Sequence, residues 1–190
     1  MKSHKDVLEI IFFARGGQGA KTASELLAYA AVREGKFVKA FPYFGPERSG
    51  APTKMFLRIS NKEIRTQEPI VDPDVVVVMD ETVMGNPEII KNLDKNELLI
   101  INSKSTKEEI KKKIPDFEGV INVVDGNGMA LEITGNSSPN VVLVGKLIQL
   151  TDLVSLDSVA DIFREYFTPK LGKELTEKNI AAIYVGYDSL

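Results

Sequence analysis

Arg15-Gly16-Gly17-Gln18-Gly19-Ala20-Lys21 is the stretch whose residue types point most directly to chemistry. Glycines let a backbone turn sharply and bring peptide N–H groups towards a ligand, and a helix that follows adds the positive end of its dipole. Lys21 and Arg15 tilt such a turn towards an anionic partner. Gly16, Gly17, Gln18, Gly19 and Lys21 are therefore candidate residues for binding an anionic cofactor or substrate. The spacing fits neither common phosphate fingerprint. For the dinucleotide pattern G-x-G-x-x-G, Gly17 and Gly19 supply two positions but Thr22 takes the third, and Pro42-Tyr43 follows the next strand where an acidic residue would hold a ribose. For the P-loop, Ala20 stands where glycine should precede Lys21-Thr22, and Arg15 where the first glycine should be. The same residues also suit a tight turn that only lets a strand feed a helix.

Other chemistry is scarce. Asp80-Glu81 closes an apolar run, and paired carboxylates there invite general acid–base work or Mg²⁺ binding. No histidine or third carboxylate stands nearby, so capping of a short helical turn by Asp80 or Thr82 is the better reading. Asp125-Gly126-Asn127-Gly128 lacks the alternating oxygen ligands and closing glutamate of a calcium loop and reads as a turn. There is no cysteine, which removes disulfides, thiol catalysis and cysteine-ligated iron–sulfur clusters together. The single histidine, His4, lies near the N-terminus, so neither a Ser–His–Asp triad nor a histidine metal site is expected. No residue is assigned a catalytic role and none a metal. Any redox chemistry must use carriers on another chain.

These residues need a scaffold. Val7 to Ala14 reads as a buried strand, Lys21 to Glu34 has helix periodicity through Ala23, Leu26, Leu27 and Ala30, and Phe37 to Phe41 reads as a second strand. That unit is a right-handed βαβ crossover, so its strands should be parallel, with their carboxyl ends on one edge. Phe41 to Pro52 follows, with three prolines, two glycines, three aromatics and an adjacent Glu–Arg pair. Such a loop is shaped, and its aromatics call for a core or a partner. Tyr43, Phe44, Glu47 and Arg48 are the candidate subunit-interface residues.

Further along, Thr53 to Ser60 partly alternates and suggests a strand with one buried face, with Glu63-Ile64-Arg65 as a short antiparallel partner. Val75 to Met79 has no polar face and reads as a central strand. Asn86-Pro87 could open a short helix to Leu93. Strands are expected at Leu98 to Asn102 and Gly119 to Val124, with a capping box at Thr106-Lys107-Glu108-Glu109 opening a helix between them. Ser138-Pro139-Asn140 opens an apolar helix to Leu150, in which Gly145 permits close approach of another backbone; that helix is either central or meets another subunit. Asp157 should cap a helix through Phe167, with Thr168-Pro169 and Gly172 separating it from a last helix, Glu174 to Tyr187. The pattern predicts a single domain over residues 1–190, a three-layer α/β/α fold with a mixed, mostly parallel sheet of about five to seven strands.

Composition is ordinary, with 43% hydrophobic and 27% charged residues. The net charge of −3 argues against an extended nucleic-acid surface. No apolar run is long enough to cross a bilayer and no signal-peptide core precedes the first strand, so the cytoplasm is the expected location.

Gly16-Gly17-Gln18-Gly19-Ala20, Ala40-Phe41-Pro42, Tyr43-Phe44-Gly45-Pro46-Glu47-Arg48, Gly50-Ala51-Pro52, Asp72-Pro73-Asp74-Val75 and Ser138-Pro139-Asn140, in that order, resemble the gamma subunit of 2-oxoacid:ferredoxin oxidoreductases. Asn179 to Gly186-Tyr187 also fits, so the resemblance spans nearly the whole chain. Gly50-Ala51-Pro52 is most similar to the pyruvate branch, pyruvate synthase, although Ser49 stands where the family often carries a basic or glycine residue. The resemblance implies a complex that decarboxylates pyruvate on thiamine diphosphate and Mg²⁺, passes electrons through iron–sulfur clusters to ferredoxin, and gives the acetyl group to coenzyme A. It places the thiamine site mainly on alpha and beta subunits and the clusters on beta and delta subunits. The gamma subunit is left with assembly and a possible role in docking coenzyme A. The small subunit of indolepyruvate ferredoxin oxidoreductase and a free-standing binder of a nucleotide or phosphorylated metabolite are the alternatives.

Overall fold

In a computed structural model the described residues are 6–43 and 52–189. Among them six strands form one sheet: β1 Val7–Arg15, β2 Phe37–Tyr43, β3 Pro52–Ser60, β4 Val75–Val78, β5 Leu98–Asn102 and β6 Val120–Val124. The order across the sheet is β2-β3-β1-β4-β5-β6. From β1 to β6 the neighbours are parallel, whereas β3 runs antiparallel to both β1 and β2. The expected mixed, mostly parallel sheet is therefore found, with one departure from the expected βαβ pairing. β1 and β2 run the same way, but β3 lies between them. The reason is legible in the residues. Pro42 cannot donate to a ladder and suits an edge strand, while β3 is buried on both faces from Met55 onward.

The six α-helices among the described residues are α1 Ala20–Arg33, α2 Lys107–Lys113, α3 Gly126–Thr134, α4 Asn140–Thr151, α5 Leu156–Leu171 and α6 Lys173–Asp188. Their apolar residues sort them onto two sides. Ile10, Phe12 and Leu57 share a core with residues of α1, α3, α4, α5 and α6. Ile11, Phe13 and Phe56 face Ile70, Val83, Ile89, Ile110 and Phe117, so the other side is covered by α2, two 3₁₀ turns (Glu81–Val83, Pro87–Ile89) and the segment before β4. The result is three layers of unequal weight.

Several local expectations change. Glu63 to Arg65 adds no strand, because β1 and β2 already occupy both edges of β3. Asp125-Gly126-Asn127-Gly128 is the start of α3 and not a free turn: Asp125 accepts the Gly128 N–H at 2.8 Å as the cap. Only Pro87–Ile89 is helical after Asn86, as a single 3₁₀ turn. α5 is capped by Ser155, not Asp157, and continues through Pro169 to Leu171, since a proline in the last turn costs one hydrogen bond there. The capping box at Thr106 is present as expected. α4 is capped by no side chain; Ser138 Oγ instead donates to Asn140 Oδ1.

The C-terminal half of α1 is tied to α5 at two points. Tyr29 stacks on Tyr166 at 4.8 Å. Glu34, just past α1, accepts the Ser155 N–H at 2.7 Å where α5 begins. Burial opposes ionisation of Glu34, but the Ser155 N–H, the Ser158 and Ser155 hydroxyls and the Lys36 ammonium outweigh it and lower its carboxyl from 4.5 to about 2. A depressed carboxyl stabilises the fold above the unfolded value and loses that contribution as pH falls from about 4.5 towards 2. Glu34→Gln is expected to cost about 1–2 kcal/mol at neutral pH, less than the full linkage value because solvent screens the partly exposed carboxylate, and to flatten the acid limb of stability against pH. Urea melts between pH 7 and 2.5 test this; parallel acid limbs for the two proteins would count against it.

Candidate functional site

β1 ends at Arg15 and the chain turns through Gly17 and Gly19, whose φ angles are +89° and +80°. Gly19 caps α1 with no side-chain hydrogen bond, and the first turn of α1 has no acidic residue. The Ala23 N–H closes on the Gly19 carbonyl, which leaves the N–H groups before it outside the helix's own ladder. Glycine is required at position 19 twice over: its φ is positive, and a Cβ there would lie 2.7 Å from Asn140 Nδ2. Ser138-Pro139-Asn140 at the head of α4 is thus packed against the glycine turn.

Because β1 and β2 run the same way, the turn and the end of β2 share the carboxyl edge of the sheet. A cleft of about 440 Å³ opens there. It is lined by the glycine turn, Ala20 to Thr22, Pro42-Tyr43 and Thr53 to Met55. Gly16, Gly17, Gly19 and Lys21 therefore converge with Tyr43. Lys21 reaches out at the rim, 77% exposed, with Glu25 at 3.7 Å. Lys54 borders the cleft, but its ammonium is committed to Glu88 on the other face of the sheet. Phe44, Glu47 and Arg48 lie outside the described residues.

Gln18 does not line this cleft. Its Oε1 accepts the Arg15 N–H at 2.7 Å and its Nε2 donates to Asp80. Arg15 Nε donates to Thr82 Oγ at 2.7 Å and lies 3.9 Å from Asp80. Asp80 in turn accepts from the Thr82 N–H and hydroxyl. These bonds cross the point where the connections after β1 and β4 leave on opposite sides of the sheet, the place where open α/β sheets receive ligands. Gln18 and Asp80 hold the glycine turn in position across that crevice.

Asp80 and Glu81 are accordingly braces. Burial raises the Asp80 carboxyl, but Thr82, Gln18 and Arg15 bring it below its ordinary value. Lys113 and Ser103, against some burial, lower Glu81. Neither is a proton donor poised near neutrality. The Gln18–Asp80 pairing and the role of Asn140 beside Gly19 carried no local sequence signal, since each partner lies more than sixty residues from the other.

The fold and the site together define an α/β domain whose mixed six-stranded sheet carries a glycine turn and a cleft at its carboxyl edge. A family model described as pyruvate ferredoxin/flavodoxin oxidoreductase matches residues 9–189. The gamma subunit common to the pyruvate and ketoisovalerate oxidoreductases of Thermococcus kodakarensis is 43% identical over 176 residues, 93% of each chain. The crystal structure of the pyruvate oxidoreductase subunit PORC of Thermotoga maritima matches with a TM-score of 0.85 and 38% identity over 96% of both chains. The 2-oxoglutarate:ferredoxin oxidoreductase of Magnetococcus marinus shares the fold at a TM-score of 0.80 and 21% identity, over 96% of this chain and 31% of that longer one. The chain belongs to the pyruvate ferredoxin/flavodoxin oxidoreductase family, as a gamma-type subunit of a multi-subunit oxidoreductase.

Proposed function

We propose that this gamma-type chain supports oxidative decarboxylation of pyruvate to acetyl-CoA and CO₂, with electrons passing to ferredoxin, in a cytoplasmic complex with alpha, beta and delta subunits. Thiamine diphosphate with Mg²⁺ and the iron–sulfur clusters belong to those partners, where they supply carbanion stabilisation and electron transfer. This chain offers poor ligands for them: it has no cysteine, and among the described residues no three His, Asp or Glu side chains gather as a metal site. Its own part is to receive the phosphates of coenzyme A at the glycine turn. Tyr43, with Phe44, Glu47 and Arg48 beyond it, grips a neighbouring subunit.

The observation that carries this reading is the uncapped start of α1 opening on the cleft beside Lys21 and Tyr43. Peptide N–H groups of a first helical turn and an ammonium at the rim are what a phosphate ester requires. Tyr43 is 47% exposed beside that cleft, as an aromatic awaiting a partner would be. The Thermococcus relative's gamma subunit is common to two oxidoreductases, which supports assigning choice of the oxoacid to other subunits.

In the assembled enzyme, Lys21→Met is expected to raise KM for coenzyme A about tenfold, the loss of one charge-assisted hydrogen bond, with KM for pyruvate unchanged. Steady-state kinetics with each substrate varied in turn measures both. An unaltered KM for coenzyme A would remove the phosphate role from this turn.

A further inference from the structure

On the side of the sheet away from the glycine turn, a second, half-open pocket of about 260 Å³ lies between β1, β3 and the Pro87–Ile89 turn. Its floor is apolar, made by Ile11, Phe13, Phe56, Ile70 and Ile89. Its mouth is charged. Lys54 Nζ sits 5.3 Å from the centres of both the Phe13 and Tyr43 rings and pairs with Glu88. Lys91 and Asn92 also line it, and among the described residues Glu88 is the acidic one of the lining.

The two partners of that ion pair are not equivalent. The Lys54 side chain is 19% exposed and held by two aromatic faces, whereas Glu88 is 55% exposed. Lys54 is the fixed member. An exposed carboxylate contributes little to such a pair and is readily replaced. One fixed ammonium thus holds one displaceable carboxylate above a hydrophobic well, with Lys91 elsewhere in the lining. Lys54 and Lys91 both pull the Glu88 carboxyl below its ordinary value, the hydrogen bond from Lys54 first.

We propose that this pocket is a binding site for a short aliphatic monocarboxylate, whose tail fills the well and whose carboxylate takes the place of Glu88 on Lys54. The volume is on the order of eight or nine water molecules at ~30 Å³ each, room for a branched acid of about seven non-hydrogen atoms. The proposal does not rest on the coenzyme A reading, although Tyr43 and Lys54 border both cavities.

The test uses the full chain and 3-methylbutanoate, followed by the methyl resonances of Ile11, Ile70 and Ile89. Saturable shifts of these methyls are expected in the millimolar range, with 3-methylbutanamide at least about tenfold weaker. Glu88→Gln should tighten binding several-fold, because it removes the internal competitor. Lys54→Met should abolish it. Ile70→Trp, which fills the well, should abolish it too, with thermal melting as a check that the variant folds. Absence of binding to the unaltered chain, or binding indifferent to Lys54→Met, or weaker binding to Glu88→Gln, would overturn the proposal.

Discussion

Gly145→Ala is expected to prevent stable folding. α4 and α6 meet backbone to backbone, and each contributes one glycine to the contact. A Cβ on Gly145 would lie 1.9 Å from the Ile183 carbonyl oxygen and 2.8 Å from the Tyr187 nitrogen. A Cβ on Gly186 would lie 2.0 Å from the Val142 carbonyl oxygen. These obstacles are main-chain atoms of regular helices, so no rotamer change relieves them. The helices must separate, and α4 is buried continuously from Val141 to Ile148, so separation opens the core of the larger helical layer. Overpacking of a side chain typically costs about 1–3 kcal/mol; against rigid backbone the loss should exceed that and approach the whole stability of a domain of this size. Gly186→Ala should be as damaging. Gly85→Ala is the control, since no described residue lies within 4 Å of its would-be Cβ and its φ is not positive. It should stay within about 0.5 kcal/mol of the parent. Yield of soluble protein and thermal unfolding measure all three. A folded Gly145→Ala protein with a transition near the parent's would contradict the close packing.

The second large effect concerns Arg58. It stands directly across from Glu9 on β1, on the face that meets the segment before β4. Its side chain is 4% exposed, its Nε donates to Glu9 at 2.6 Å, and its Nη1 donates to the Glu68 carbonyl at 2.7 Å. Phe41 lies beneath the guanidinium at 6.0 Å. Arg58→Met leaves the Glu9 carboxylate without its countercharge and cuts the tie to Glu68. Breaking a buried pair from one side costs about 3–5 kcal/mol, mostly for the charge left behind. Adding Glu9→Gln should therefore restore part of the loss, giving a coupling energy on the order of 1–3 kcal/mol in a double-mutant cycle. Hydrogen exchange around Glu68 should accelerate in both variants that lack Arg58. Additive losses in the cycle would mean that the pair acts only through packing.

How much of this was visible beforehand follows from the range of the interactions. β4 and β5 were legible because an unbroken β-branched run has few other fates. The capping box at Thr106 was legible because it is complete within four residues. Gly145 announced a close approach, since an interior glycine in an apolar helix has little other reason to be there. The sequence could not name its partner, because Gly186 and the Ile183 carbonyl lie some forty residues on. The insertion of β3 between β1 and β2 does not follow from the crossover, whose handedness fixes direction and not adjacency; Pro42 is the sign in the sequence that β2 belongs at an edge. Pro169 and the glycines of Asp125-Gly126-Asn127-Gly128 misled in the opposite sense. Both are helix breakers in isolation, and both are tolerated within a turn of a helix end. Gly126 is in addition pressed by Pro139, with a would-be Cβ 3.0 Å from the Pro139 Cβ. At the site, the glycine turn and Tyr43 were read as neighbours, and the cleft brings them together. The composition of the turn makes Gln18 a candidate ligand-binding residue, and its amide is engaged with Asp80, sixty-two positions away. The well beneath Lys54 has no trace in the sequence, because its lining comes from five separate segments.

Anoxic purification from native cells, with every co-purifying polypeptide identified and assayed, addresses most directly whether this chain works by lending a docking surface to redox machinery carried elsewhere. The expected result is an assembly containing thiamine diphosphate and iron–sulfur clusters on other polypeptides, which reduces ferredoxin with pyruvate and coenzyme A, while the isolated chain does neither. A single polypeptide that oxidises pyruvate unaided would contradict it.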